Sequence, residues 1–128
     1  MSDLRSILCP HAPEPIGPYS QAIVVGELVF VSGQLPIRAG EKAYTPAPVE
    51  EETQIVLENL KAILTEAGSG SEHVIKCSIF LRSMAEFSKV NEVYGTYFSQ
   101  HKPARETVEV SQLPLGVKVE ISCIARIA

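Results

Sequence analysis

The chain has 128 residues, 45% of them hydrophobic and 20% charged, with a net charge of −4 and a pI near 5.4. That is the length of one ordinary domain and apolar enough to fold, which excludes a disordered chain. The lysines and arginines are scattered, leaving no basic stripe for a phosphate backbone, and no apolar run approaches the roughly 20 residues of a membrane span.

The amino-terminal stretch MSDLRSILCPHAPEP carries an early aspartate and no long apolar core. It reads as neither secretory signal nor transit peptide, so a cytoplasmic location is expected. A short strand is expected around Ser6 to Cys9. Residues 9–20 then hold four of the nine prolines, which fixes an ordered loop and rules out a helix. QAIVVGELVFVSGQ predicts two strands, about 21–25 and 28–33, turning at Gly26.

A helix is predicted over 48–67. Pro48 suits its first turn, and Glu50, Glu51 and Glu52 complement the positive end of the helix dipole. Val56, Leu60, Ile63, Leu64 and Ala67 form one apolar stripe, and Gly68 ends it. Residues 73–82 alternate as a strand, with Ile75, Cys77, Ile79 and Leu81 on the core face and Val74, Lys76, Ser78 and Phe80 on the other. SMAE reads as a capping box with Ser83 at the cap and Glu86 reaching back, opening a helix over 84–99. Phe87, Val90, Tyr94 and Tyr97 or Phe98 supply its buried stripe. Two strands follow, about 104–110 and 117–127, the first reading as core.

The order is therefore β-β-β-α-β-α-β-β, an α+β chain read as a single domain over 1–128. Two helices on one face of a mixed sheet is the economical arrangement. The other face still carries Val74, Phe80 and Ile124, and a neighbouring copy of the chain is the expected cover.

Chemistry is less explicit. Cys9, Cys77 and Cys123 are odd in number and far apart, so they suggest neither disulfides nor a zinc site. Cys77 and Cys123 read as buried and Cys9 as more exposed. His11, His73 and His101 sit in no nucleophile pattern, and Asn91 reads as a solvent or packing residue. Arg105, Thr107 and Glu109 share one side of their strand, while Glu120 lies on the mixed face of the next. If those strands are neighbours, the arginine can clamp a carboxylate while the glutamate orients water; a structural Arg–Glu pair at a subunit interface fits the spacing equally. Tyr19, after a Gly-Pro turn, reads as a pocket residue or a hydrophobic plug. Ser32-Gly33 reads as a β-bulge or as amides open to an anion.

Taken in order, IGPYSQA, VFVSGQLP, LENLKAILTEAG, VNEVYGTYF, KPAR and LPLGVKVEISCIA resemble the Rid family of YjgF-like reactive intermediate deaminases, over about residues 8 to 127. The resemblance implies a chorismate-mutase-like fold, a homotrimer with clefts between subunits, and no metal or cofactor. It also implies hydrolysis of reactive imines and enamines released by pyridoxal-phosphate enzymes, as a 2-iminobutanoate/2-iminopropanoate deaminase does. It assigns Arg105 to the substrate carboxylate, Glu120 to the water, Tyr19 to the cleft from an adjacent subunit, and Ser32, Gly33 and the backbone of Thr107 to the pocket. Two positions depart from the pattern: Thr107 stands where many members have cysteine, and Glu106 where a small residue is common. The rival readings are a non-catalytic trimer that binds small carboxylates and an endoribonuclease, a label some relatives carry. The acidic composition argues against a nucleic-acid partner.

Overall fold

The structure, a computed structural model, describes residues 3–128. In chain order the elements are β1 (Arg5–Ile7), β2 (Ala22–Val25), β3 (Leu28–Gln34), α1 (Val49–Glu66), β4 (Val74–Leu81), α2 (Phe87–Tyr97), β5 (Ala104–Glu109) and β6 (Val119–Arg126). The strands form one six-stranded sheet in the order β1-β2-β3-β6-β4-β5. All pairs are antiparallel except β4 with β5, which α2 joins as a parallel crossover. Both helices are part of the core on one side of the sheet. This is the α+β arrangement that the element order predicts, and the chorismate-mutase-like fold that the resemblance implies. Among the described residues, no helix is long and apolar enough to cross a membrane.

Local chemistry accounts for most of the elements. The predicted stripe of α1 is buried throughout, meeting Cys77, Ile79 and Leu81 of β4 and Ile121, Cys123 and Ala125 of β6 in one apolar layer. Gly68 ends that helix at φ +86°, a conformation a side chain would strain, and Gly26 turns the β2–β3 hairpin at φ +57°.

Four expectations need correction. At the start of β4 the alternation is inverted: Val74 is buried and Ile75 is 44% exposed. The register against β6 slips between Val74 and Lys76, and one extra residue reverses the faces. Cys9 is buried, its thiol 3.5 Å from the Ala62 carbonyl oxygen. The loop folds back because the buried Gln21 side chain stitches it down, accepting from the Cys9 amide and donating to the Cys9 and Pro13 carbonyls. Glu86 does not close a capping box. Ser83 accepts from the Ala85 amide in a single 3-10 turn, and Glu109 of β5 caps that turn by accepting from the Met84 amide at 2.6 Å.

Glu52, the third acidic residue of the first turn of α1, is fully buried. The fourth correction also concerns burial. The strand over 104–109 is not core: it is an edge strand, exposed along most of its length. The face of the sheet away from the helices carries Phe30 and Val108, each 42% exposed, with Phe80 and Ile124 half-buried beside them.

Candidate functional site

The residues singled out by sequence fall into two groups. The first surrounds Glu120. The β3–β6 register shifts between Val31 and Gln34, so Ser32-Gly33 is a β-bulge, and Glu120 of the next strand lies over it. A Cβ on Gly33 would stand 2.8 Å from the Glu120 Cδ and in contact with its Oε2, so the glycine makes room for the carboxylate. Ser32 is fixed by its hydroxyl, which donates to the Ser20 carbonyl at 2.6 Å, and by its amide, which donates to Gln21. Tyr19 stands on the Gly17-Pro18 turn, and its hydroxyl accepts from the Ile16 amide. Tyr19, Ser32, Gly33 and Glu120 line one open cleft, with Leu35 and Pro114 as apolar wall.

Glu120 is half-buried, and no hydrogen bond or ion pair to it is found among the described residues. Burial alone raises its pKa above the ordinary carboxylate value. An unpaired carboxylate in such surroundings is suited to taking and returning a proton.

The second group surrounds Arg105. In register, Arg105 pairs with Cys77 and Thr107 with Ile79, which places both on the helix side of β5. The guanidinium lies 5.0 Å over the Tyr94 ring and 5.7 Å from that of Phe87, and one nitrogen donates to Asn91 Oδ1 at 2.6 Å. The remaining donors are free to grip an anion, and the aromatic floor holds the fork flat. Glu106 faces away, as alternation predicts. It pairs with Lys76 at 3.3 Å and accepts from the Ser78 hydroxyl, and those contacts, the serine first, lower its pKa. The clamp is therefore not neutralised by its sequence neighbour.

The condition that β5 and β6 be neighbours is not met, because β4 lies between them. Glu120 is in register with Phe80 and Arg105 with Cys77, three residues apart on β4. Within one chain, Arg105 and Glu120 therefore point to opposite faces of the sheet and share no pocket.

Residues 9–127 match the family model described as endoribonuclease L-PSP. A RutC family protein of Pyrococcus abyssi is 48% identical over 119 residues, covering 93% of this chain and 94% of that one. The chain belongs to the Rid (YjgF-like) family. Another Rid relative, the 2-iminobutanoate/2-iminopropanoate deaminase of Dermatophagoides farinae, is 40% identical over 97% of both chains. Among solved structures, TdcF of E. coli with bound serine superposes with a TM-score of 0.91 at 38% identity, covering 97% of this chain and 98% of that one.

Sequence reasoning missed part of this Rid chain's arginine group. The sequence marks Asn91 only as a solvent or packing residue, and Phe87 and Tyr94 only as part of a buried stripe. Their spacing of four and three residues carried the signal, because it places all three on one helix face. What it did not reveal was which strand that face meets.

Proposed function

We propose that this Rid protein hydrolyses small 2-imino acids, such as 2-iminopropanoate and 2-iminobutanoate, to the 2-keto acid and ammonia. The observation that carries the reading is Glu120: a half-buried carboxylate without a partner, seated over a glycine in an open cleft. The arginine group supplies the complementary half, and a copy of the chain packed on the exposed apolar face brings the two halves together. A homotrimer with three such clefts is the assembly we assign. The relative named as an imine deaminase and the relative solved with serine support an amino-acid-derived carboxylate as the ligand.

In this scheme Arg105 holds the carboxylate, and Tyr19, Ser32, Gly33 and the backbone at Thr107 confine the rest of the ligand. Glu120 accepts a proton from water as the oxygen bonds to C2 and the C=N pair moves to nitrogen. It returns that proton to nitrogen to give the carbinolamine, then takes the carbinol hydroxyl proton and passes it to the amine, so that ammonia leaves as the C=O forms. Such imines already react with water, so orientation and one proton relay suffice.

The test is the decay of 2-iminopropanoate, generated by a serine dehydratase, with and without the protein. Acceleration proportional to protein is expected. Decay unchanged at every protein concentration would overturn the reading, and ligand binding without acceleration would select the non-catalytic carboxylate binder.

Glu120→Gln should lower the accelerated rate by about 100-fold, the usual scale of a lost acid–base group. It should also raise Tm at pH 7. The folded pKa of Glu120 lies above its unfolded value, so the folded state favours the protonated form. Below the ordinary carboxylate value of about 4.3 the two proteins should melt alike. As pH rises through the raised folded value, wild type bears the burial of a charge that glutamine never acquires. The same ionisation should place the acid limb of the wild-type kcat/KM profile above that ordinary value. A Tm difference independent of pH would contradict the assignment.

Gly33→Ala should cost little stability, because the atom it meets ends a flexible side chain, but it displaces the Glu120 carboxylate. Activity should fall about tenfold or more, on the scale of one misplaced catalytic group. Unchanged kcat/KM would show that the carboxylate does not act from this position.

A further inference from the structure

Among the described residues, two buried side-chain polar atoms have no hydrogen-bond partner, the hydroxyls of Tyr94 and Thr107. Both belong to residues of the arginine group. The Tyr94 hydroxyl rests beside the Cys77 thiol. Thr107 lies two residues beyond Arg105 on the same face of β5, roughly 7 Å along the strand. Buried hydroxyls are nearly always paired, so an unpaired one beside an anion clamp needs an account. Among the described residues nothing supplies that partner.

We infer that the Thr107 hydroxyl is a ligand-binding group that turns into the cleft when a 2-imino or 2-keto acid is seated on Arg105 and donates to a carboxylate oxygen. The inference rests on the reading of Arg105 as a carboxylate clamp. A carboxylate offers about four lone-pair sites, and a two-pronged guanidinium occupies two of them. The guanidinium is held on its other side by Asn91, so it approaches from a fixed direction and leaves one flank of the carboxylate open. Rotation between staggered wells exchanges the threonine hydroxyl with its γ-methyl. Before the exchange, a hydroxyl without a partner occupies an apolar position opposite Ile79. Afterwards a methyl fills that position and the hydroxyl makes a charge-assisted bond. Both changes favour the bound state. A side chain without a hydroxyl at position 107 would bind through the arginine alone and discriminate less between a carboxylate and its neutral amide.

The experiment is calorimetric titration of the assembled protein with 2-oxobutanoate and with its carboxamide, together with Tm and assembled mass. Thr107→Val keeps the shape and removes the hydroxyl, and Thr107→Ser keeps the hydroxyl. Valine should raise the Kd for 2-oxobutanoate about tenfold, the scale of one hydrogen bond to a charged group. Its Tm should be equal or higher, its mass unchanged, and its preference over the carboxamide reduced. Serine should bind within about twofold of wild type, since its hydroxyl makes the same bond. Valine binding as tightly as wild type would overturn the inference, and so would serine binding as weakly as valine. A loss of assembled mass in Thr107→Val with unaltered Kd would overturn it too, assigning the hydroxyl to a subunit contact. Arg105→Ala separates the two levels of the reading. If that variant loses binding while Thr107→Val retains it, only the hydroxyl's role fails. If wild type and Arg105→Ala bind 2-oxobutanoate alike, the clamp itself fails.

Discussion

Arg105→Ala is expected to lower kcat/KM for 2-iminopropanoate by about 100- to 1000-fold while the protein stays folded and assembled. The estimate follows from two hydrogen bonds to a charged partner, each worth about 1.5–3 kcal/mol when the partner is otherwise left unpaired. Stability should change little, because the side chain lies on an exposed edge strand and contributes one bond to Asn91 and contacts with two rings. Such a ring contact at an exposed site is worth about 0.5–1 kcal/mol. Arg105→Lys should fall between alanine and wild type, since it restores charge without the planar fork. The loss should appear in KM and kcat together if the clamp also orients C2 toward the water. Steady-state kinetics on freshly generated imine, with the mass of each variant measured in parallel, checks this. An alanine variant with full turnover would remove Arg105 from the site.

The alanine variant also bears on how much of the site was legible beforehand. Local chemistry is short-ranged, and the elements set by it were readable: the α1 stripe, the Gly68 stop and the Gly26 hairpin. What failed depended on long-range pairing. Nothing in KPARETVEV says that β6 inserts between β3 and β4, and that insertion turns a strand resembling core into an exposed edge. The same insertion separates Arg105 from Glu120 and sends them to opposite faces. A one-residue bulge reversed Val74 and Ile75, because period-two reading has no means of sensing a register slip. The two residues most suggestive of chemistry were visible as types, and their resemblance to a family pattern tied them together. Their real separation was not visible, and it gives the second copy of the chain, which the resemblance already implied, the task of bringing them together.

Glu52 illustrates the same limit and should have the largest effect on stability. By position it is the third of three acidic residues opening α1, and nothing in that position marks it as different from the other two. Yet its carboxylate is fully buried. It accepts from the Tyr44 hydroxyl at 2.5 Å, the Ala47 amide at 3.2 Å and the Lys118 amide at 2.9 Å, and pairs with the Lys118 ammonium at 3.3 Å. Four donors from three residues converge on one side chain, and one of those residues, Lys118, stands two before Glu120. Glu52→Ala strands those donors and should cost about 3–5 kcal/mol, as breaking a buried pair does. For a chain of this length that is a Tm loss of about 10 °C or more. Glu52→Gln should cost less, because the amide oxygen can still accept from one or two of the donors. Tyr44 gives the network a signature in pH. Burial first, and then the Glu52 carboxylate, push its phenol up to about 12. The folded state therefore holds that proton more tightly, so this contribution to stability is complete below pH 10 and is lost as pH rises through about 12. Tyr44→Phe should remove that alkaline step. Thermal melts across pH would test both, and a Glu52→Ala protein that melts like wild type would show that the converging donors find other partners. If instead it melts low yet retains kcat where still folded, Glu52 supports the start of β6 without setting the position of Glu120.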